Sequence, residues 1–186
     1  GTDLGVLYET LAHEGYPGHL YFFNYVKQQG WHPINFFVSN IGFEEGWAEY
    51  AARLSLDSWG LDPDMMEVIF LDQEFSYLLM GLSDIGINYG GWTVDDVYDL
   101  WETYFYLDSA EDVRDVYDAC MAEPGTILSY SIGYYQICDL EEEVKEMLGE
   151  SFDHNEFVTE LLSVGGASFD ITRSYIMEWA NEKLHG

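Results

Sequence analysis

The sequence has very few positive charges. Only 6 of its 186 residues are Lys or Arg, against 35 Asp and Glu, and the formal net charge is -29. Nucleic acids and anionic membrane surfaces are bound by clusters of Lys and Arg, which this sequence lacks. We therefore exclude nucleic acid as a partner. We interpret the acidity as a solvated surface, with a preference for cationic substrates as the alternative.

Long apolar runs and cysteines are scarce as well. No segment approaches the roughly 20 apolar residues of a membrane-spanning helix, so we predict no membrane insertion within this chain. Cys120 and Cys138 could form a disulfide only if their Cα atoms come within about 7 Å. The chain starts with Gly1 rather than Met, so we expect it to be part of a larger protein. An export signal in a missing front would give a cell-envelope or secreted protein; localisation and oligomeric state stay open.

The residues that are present favour an all-α fold. Apolar residues make up 48% of the chain, which is long enough to bury a core as one domain, residues 1–186. No window alternates between apolar and polar residues over several strands. The exception is the short apolar run within residues 31–40, where a β-hairpin is possible.

Turn and capping residues divide the chain into helices. Asp62 before Pro63, and Thr93 with Asp96, are typical of helix starts, and Gly149 is typical of a helix end. One helix should bury Met66, Ile69, Phe70, Phe75, Leu78 and Leu79. The first predicted helix covers residues 3–29 and is broken at 17–18, and another runs from residue 63 to a loop at 86–91. The other predicted helices cover residues 41–58, 93–106, 109–123, 127–148, 153–164 and 169–184.

The segment His13-Glu14-Gly15-Tyr16-Pro17-Gly18-His19 resembles a zinc-binding helix. Two neutral imidazoles can bind zinc while the Glu beside the first takes a proton from the metal-bound water. Histidines six residues apart lie about 120° apart around a regular helix and cannot both face one ion. Pro17 disrupts the helical hydrogen bonds, and Gly18 permits an unusual backbone angle. We predict that this break returns His19 to the metal face.

A third ligand is predicted from the segment Glu44-Glu45-Gly46-Trp47-Ala48-Glu49-Tyr50. Glu45 and Glu49 share one helix face, so one can bind the ion while the other orients a ligand histidine. Phe43, Trp47, Ala51 and Leu54 should pack on the other side. Two His and one Glu leave a fourth position open for water, which is typical of a catalytic site with one zinc ion.

These two segments resemble a known family. HEGYPGH followed by EGWAEY is similar to the bacterial family called domain of unknown function eight-eight-five, whose hallmark is HExxPGH and whose members are regarded as zinc metallopeptidases of the gluzincin type. EEGWAEY also resembles the NEGFAxY segment of the M-one-type aminopeptidases, in which the first Glu binds zinc. The resemblance selects Glu45 as the ligand and leaves Glu44 and Glu49 to surround it. It implies a larger, mostly helical protein with this chain as its C-terminal part.

The resemblance continues along most of the chain, with two departures. Residues 84–93, 123–133 and 157–165 are similar to the family's D-x-G-[IV]-H…G-W-[ST], PGxxxxYxxG and FHxxLLxxG stretches. Asn88 and Val158 stand where the family pattern has His. If either family histidine stabilises the transition state, this protein stabilises it differently or has a weaker activity.

The hypothesis is a hydrolase that cleaves peptide substrates, with His13, His19 and Glu45 as zinc ligands. Glu14 would be the general base, and Tyr130 is the candidate donor to the oxyanion. The alternative is a catalytically inactive domain that binds metal or peptide. A Ca²⁺-binding acidic protein is a third reading, but the D-x-D-x-D-G spacing of a calcium loop is missing.

Overall fold

The computed structural model describes residues 2–30, 34, 38, 40–60 and 62–185. Strands are absent from these residues, and none of their helices is long and apolar enough to cross a bilayer. The β-hairpin considered for residues 31–40 falls mostly outside the described residues. The helices are α1 (Thr2–Glu14), α2 (His19–Gln28), α3 (Ile41–Ser55), α4 (Pro63–Asn88), α5 (Val94–Trp101), α6 (Arg114–Ala122), α7 (Thr126–Leu148), α8 (His154–Val164) and α9 (Phe169–His185).

Side-chain caps set several of these helix starts. The Asp62 carboxylate accepts a hydrogen bond from the backbone N–H of Met65, as its position before Pro63 predicts. Thr93 and Asp96 form the predicted capping box of α5. Asp153 begins α8 in the same way, by accepting from a backbone N–H one turn on. These starts are confirmed because capping depends on residues only three apart.

Some predicted helix ends are wrong. α4 continues past Gly86 to Asn88, and the Trp92 ring packs on Gly86 where a side chain would stand. α5 ends at Trp101 instead of residue 106, and turns follow. The segment predicted to run to residue 58 ends as an α-helix at Ser55 and closes with a short 3₁₀ turn.

The centre of the fold is the contact between α3 and α7. Gly46 of α3 lies against Gly133 of α7, and a Cβ built on Gly46 would stand 2.3 Å from the Gly133 carbonyl carbon. Only glycine allows the two backbones to come this close. This approach holds α3, which carries Glu45 and Glu49, directly against α7, which carries Tyr130.

The described residues form three apolar cores, of which the smallest contains Leu56, Met66 and Phe70. The other two differ in size. The larger one joins α2, α3, α7, α8 and α9 and includes Phe22, Phe43, Trp47, Ile137 and Phe157. A smaller core joins the end of α4 to α5 and α6. The cysteines belong to different cores and are both free, so they do not pair.

Some apolar residues expected inside lie at the surface. Phe75 and Leu78 of α4 are exposed, whereas Met66, Phe70 and Leu79 of the same helix are buried. Leu54 of α3 is exposed too, unlike Phe43, Trp47 and Ala51. These predictions were wrong because helical periodicity places residues on a face but does not say which neighbour covers that face.

Candidate metal centre

The helix is interrupted between α1 and α2, and His13 and His19 lie side by side. α1 ends at Glu14, and α2 begins at His19. The backbone N–H of Gly18 donates to the Ala12 carbonyl at 2.8 Å, which spans six residues instead of the four of a regular helix and so inserts two residues into the turn. The two imidazole rings meet edge to face with their centroids 4.8 Å apart. The structure therefore contains the break that the Pro17-Gly18 sequence predicts.

Gly18 packs directly on the end of α1. A Cβ at this position would stand 1.7 Å from the His13 carbonyl oxygen and 2.6 Å from that of Ala12. Both obstacles are backbone atoms of the helix that carries His13, so they cannot move aside as a flexible side chain would. The interruption therefore needs glycine because of these clashes and not because of a positive φ, since the φ of Gly18 is -75°.

Replacing Gly18 should separate the two histidines. We expect Gly18→Ala to weaken zinc binding at least about tenfold, because the clash must move His19 relative to His13 and metal sites tolerate little displacement. Zinc titration followed by calorimetry measures the change. Gly42→Ala is the matched control, because the nearest atom to its Cβ is 3.4 Å away on the Asn40 side chain. Equal zinc affinity in Gly18→Ala and the unmodified protein would contradict this role.

Three side chains converge on one point. Nε2 of His13 and Nε2 of His19 each lie 3.3 Å from Oε2 of Glu45. His13 is buried, and the other two are half-buried. The structure thus brings together the three residues that the sequence analysis selected as ligands, one from each of α1, α2 and α3.

This donor set fits a zinc ion. Zinc binds His nitrogen and carboxylate oxygen at about 2.0–2.1 Å, so neighbouring ligands around a tetrahedral ion stand roughly 3.3 Å apart. That separation matches the contacts of Glu45 with both histidines. The buried Oε2 of Glu45 also lacks a well-aligned hydrogen bond to any described residue. Two imidazoles and one carboxylate are the ligands of a catalytic rather than a structural zinc site.

Glu49 stands one helical turn after Glu45 and faces the other nitrogen of His13. Its Oε1 lies 3.1 Å from His13 Nδ1, close but off the line of a good hydrogen bond. Nδ1 would carry the proton when Nε2 binds a metal, and a carboxylate beside it holds the ring in that tautomer. This position fits the orienting role that the sequence analysis predicts for one of the two glutamates, and the role itself stays a prediction.

Glu9 joins this cluster and was missed by the sequence analysis. It is buried on α1, one turn before His13, and forms a second group of possible ligands with His13 and Glu49. Because this group shares His13, we interpret it as support for the ring rather than a separate ion site. The Gln73 amide holds Glu9 by donating to Oε1 at 2.8 Å. Its spacing four residues before His13 was the available signal.

Without metal, the cluster stabilises its own charges. Burial lowers the pKa of His13, but the Glu45 and Glu49 carboxylates outweigh it and raise that pKa to about 10. Burial raises the pKa of Glu45, but His13 and His19 outweigh it and lower that pKa to about 2. Burial, with the nearby Glu49 charge, raises the pKa of Glu9 to about 7. The metal-free site therefore holds a protonated His13 against an ionised Glu45 at neutral pH.

Zinc binding should be coupled to proton release. His13 keeps its proton up to a pKa of about 10, whereas a ligand imidazole must be neutral, so each bound ion displaces that proton. Glu45 is already ionised above its pKa of about 2 and releases none. We expect the apparent zinc affinity to rise about tenfold per pH unit between about pH 6 and 8.

Calorimetric titration in buffers of different ionisation enthalpy counts the released protons. A zinc affinity that does not change over this pH range would contradict the assignment of His13 as a ligand. His185→Ala is the control, because His185 is exposed at the end of α9 and its Nδ1 pairs with the backbone carbonyl of Asn181. This variant should keep the full pH dependence.

Three further candidates surround the cluster. Glu14 is exposed at the end of α1, next to His13, and its charge reaches Tyr130. The Tyr130 ring stacks on His13 at 6.0 Å, and burial together with Glu45 raises the pKa of Tyr130 to about 12, so it stays a donor. Glu44 is half-buried in the first turn of α3 and belongs to neither group of possible ligands in the described residues. The role of Glu44 as a residue that supports the ligands from outside stays a prediction.

The two departures from the family pattern lie in packing contacts. The Asn88 amide donates to Asp84 Oδ1 at 2.7 Å and to the Cys120 carbonyl at 3.0 Å, so it joins α4 to α6. Asp84 in turn accepts from the Gly125 N–H before α7. Val158 packs on the larger core. Neither residue belongs to the groups of possible ligands found in the described part of the chain.

Comparisons with known proteins give the family and the fold. No curated protein matches the sequence. A crystal structure described as a "putative lipoprotein" from Colwellia psychrerythraea is 24% identical with a TM-score of 0.79 over 94% of this chain. A "putative lipoprotein of unknown function" from Shewanella oneidensis is 23% identical with a TM-score of 0.76 over 92%. This chain spans only 30% and 31% of those two proteins.

The family model described as "Bacterial protein of unknown function (DUF885)" matches residues 6–176. This range runs from the second turn of α1 into α9 and includes every candidate ligand. The chain therefore belongs to the DUF885 family of bacterial proteins.

Proposed function

We propose that this chain is the metal-binding and catalytic part of a zinc-dependent peptidase of the gluzincin type. The observation that carries the proposal is the convergence of His13 Nε2, His19 Nε2 and Glu45 Oε2 at 3.3 Å separations. Glu49 and Glu9 behind His13 add the carboxylate support that metal-binding imidazoles need. Because the chain spans less than a third of the solved structures it resembles, the activity is proposed for the whole protein.

The chain's own residues supply the acid–base steps. A bound zinc ion would act as a Lewis acid, polarising the scissile carbonyl and lowering the pKa of water to about 7. Glu14 is exposed to solvent beside His13 and outside the ligand set, so it can accept a proton from the attacking water and pass it to the leaving amine. The Tyr130 hydroxyl keeps its proton at neutral pH and can donate to the developing oxyanion.

The alternative is a domain that binds metal or peptide without turnover. The replacement of two family histidines by Asn88 and Val158 favours it, and so does the scarcity of Arg for anchoring a substrate carboxylate. A zinc-supplemented assay of the full-length protein on a peptide library separates the two functions. Turnover that is lost in Glu14→Gln supports the peptidase, and binding without turnover supports the alternative.

We also propose that the protein works in the cell envelope. The two similar structures are described as putative lipoproteins, and lipoproteins are anchored by an acyl chain at one end of the polypeptide rather than by a spanning helix. This location fits a peptidase that meets peptides outside the cytoplasm. Fractionation of cells that express the full-length protein tests it.

A further inference from the structure

One face of α4 carries a regular row of exposed apolar side chains. The spacing between successive members is three, four, three, four and three residues, which is the seam pattern of helices that pack side by side. All six side chains are between 37% and 65% exposed. The α4 stripe consists of Val68, Leu71, Phe75, Leu78, Leu82 and Ile85.

The α4 stripe is not the side by which α4 joins its own domain. Met66 and Ile69 face α1 near Gly5, and Gln73 binds Glu9. At 100° per residue these positions lie about half a turn around the helix from the stripe. Phe75 touches the rings of Tyr104 and Phe105, and the other five side chains of the stripe are between 39% and 65% exposed. So long an apolar row in water is unfavourable and is typical of a surface that another element covers.

We propose that the α4 stripe is the docking surface for an amphipathic helix of the same polypeptide from outside these 186 residues. The seam spacing specifies a helix laid along α4 rather than a loop or a strand. The two similar solved proteins have most of their length outside the region that matches this chain, because this chain spans only 30% and 31% of them. A longer polypeptide of that kind contains enough chain to cover the stripe.

A second copy of the chain fits this surface less well. Each copy carries a net charge of -29, and exposed Asp64 and Asp72 lie on α4 itself, so two copies would bring like charges together. α1 also exposes an apolar row, Leu4, Leu7 and Leu11, on the side away from the residues that contact α4. One two-fold contact covers a single face, whereas a longer polypeptide can cover both.

Substitutions on the stripe test the proposal by comparing the full-length protein with the 186-residue chain. The triple variant Leu71→Gln, Leu78→Gln, Leu82→Gln should lower the thermal midpoint of the full-length protein by about 5 °C or more, because it places amides in a buried seam. In the 186-residue chain the same change should shift the midpoint by less than about 2 °C. Leu54→Gln, Ile171→Gln, Leu184→Gln is the matched control, since these residues are similarly exposed off the stripe.

Cysteine labelling gives a second measurement that does not depend on stability. Leu82→Cys should react with a maleimide at least about tenfold more slowly in the full-length protein than in the 186-residue chain, and Leu184→Cys should react equally in both. Equal rates for Leu82→Cys would overturn the proposal, as would an equal loss of stability in the stripe and control triples. Light scattering could instead show a dimer of the chain that the triple variant on the stripe dissociates. That result would overturn the proposal in favour of a second copy as the occupant.

Discussion

Glu14→Gln should abolish peptide hydrolysis and leave zinc binding intact. Glu14 lies outside the cluster of His13, His19 and Glu45, so the ligands are unchanged by its replacement. A carboxamide has nearly the same shape as a carboxylate but cannot take up the proton of an attacking water. General-base catalysis contributes about a hundred- to ten-thousand-fold, and we expect kcat/KM to fall by that factor. A peptide-library assay with parallel zinc analysis measures both quantities.

The matched control is Glu146→Gln. Glu146 is an exposed glutamate of α7, and its replacement makes the same change in charge. This variant should keep full activity, which separates loss of the base from a general change in the acidity of the protein. Full activity in Glu14→Gln would end the assignment of Glu14 as the base but would leave the metal site standing.

His19→Ala should remove both zinc binding and the stability that zinc adds. A ligand that binds only the folded state stabilises it, by about 2.7 kcal/mol at a concentration one hundred times its Kd. For a protein of this size that corresponds to a rise of about 5–10 °C in Tm. His19 is the proposed ligand from α2, and without it His13 and Glu45 would leave two donors for an ion that requires at least three from the protein.

Thermal unfolding with and without zinc measures the effect, and elemental analysis measures the bound metal. His185→Ala is the control because it removes an exposed histidine of α9, whose ring pairs with the Asn181 carbonyl and belongs to neither group of possible ligands in the described residues. That variant should keep the whole zinc-induced rise. A rise of normal size in His19→Ala would refute the metal centre itself, and with it the peptidase proposal.

Much of the site is encoded locally. The helix break that turns His19 back is visible in Pro17-Gly18, because proline and glycine change the backbone within one or two residues. The shared face of Glu45 and Glu49 follows from their spacing of four. The starts of α4, α5 and α8 follow from caps three residues away. Each feature depends on neighbours within one helical turn.

Other features depended on contacts that spacing does not specify. The family resemblance favoured Glu45 over Glu49 as ligand, and the close approach of α3 to α7 at Gly46 and Gly133 is part of what holds both carboxylates in position. The sequence does not predict that Glu9 belongs to the cluster, because the Gln73 amide that holds it comes from α4, which is distant in sequence. The periodicity of Phe75 and Leu78 is that of a buried face, but both residues are exposed.

The sequence by itself determined the all-α class, most helix starts and the two histidines of the candidate metal centre, whereas the choice of Glu45 over Glu49 came from the family resemblance. Only the tertiary structure decided the distances among those residues, the burial of Glu9 and the exposure of the α4 stripe. The physical reason is range: caps, breaks and faces arise from the backbone within a turn, whereas burial and convergence arise from the packing of helices that are distant in sequence. Helical periodicity indicates that a face is apolar, and packing alone determines what covers it.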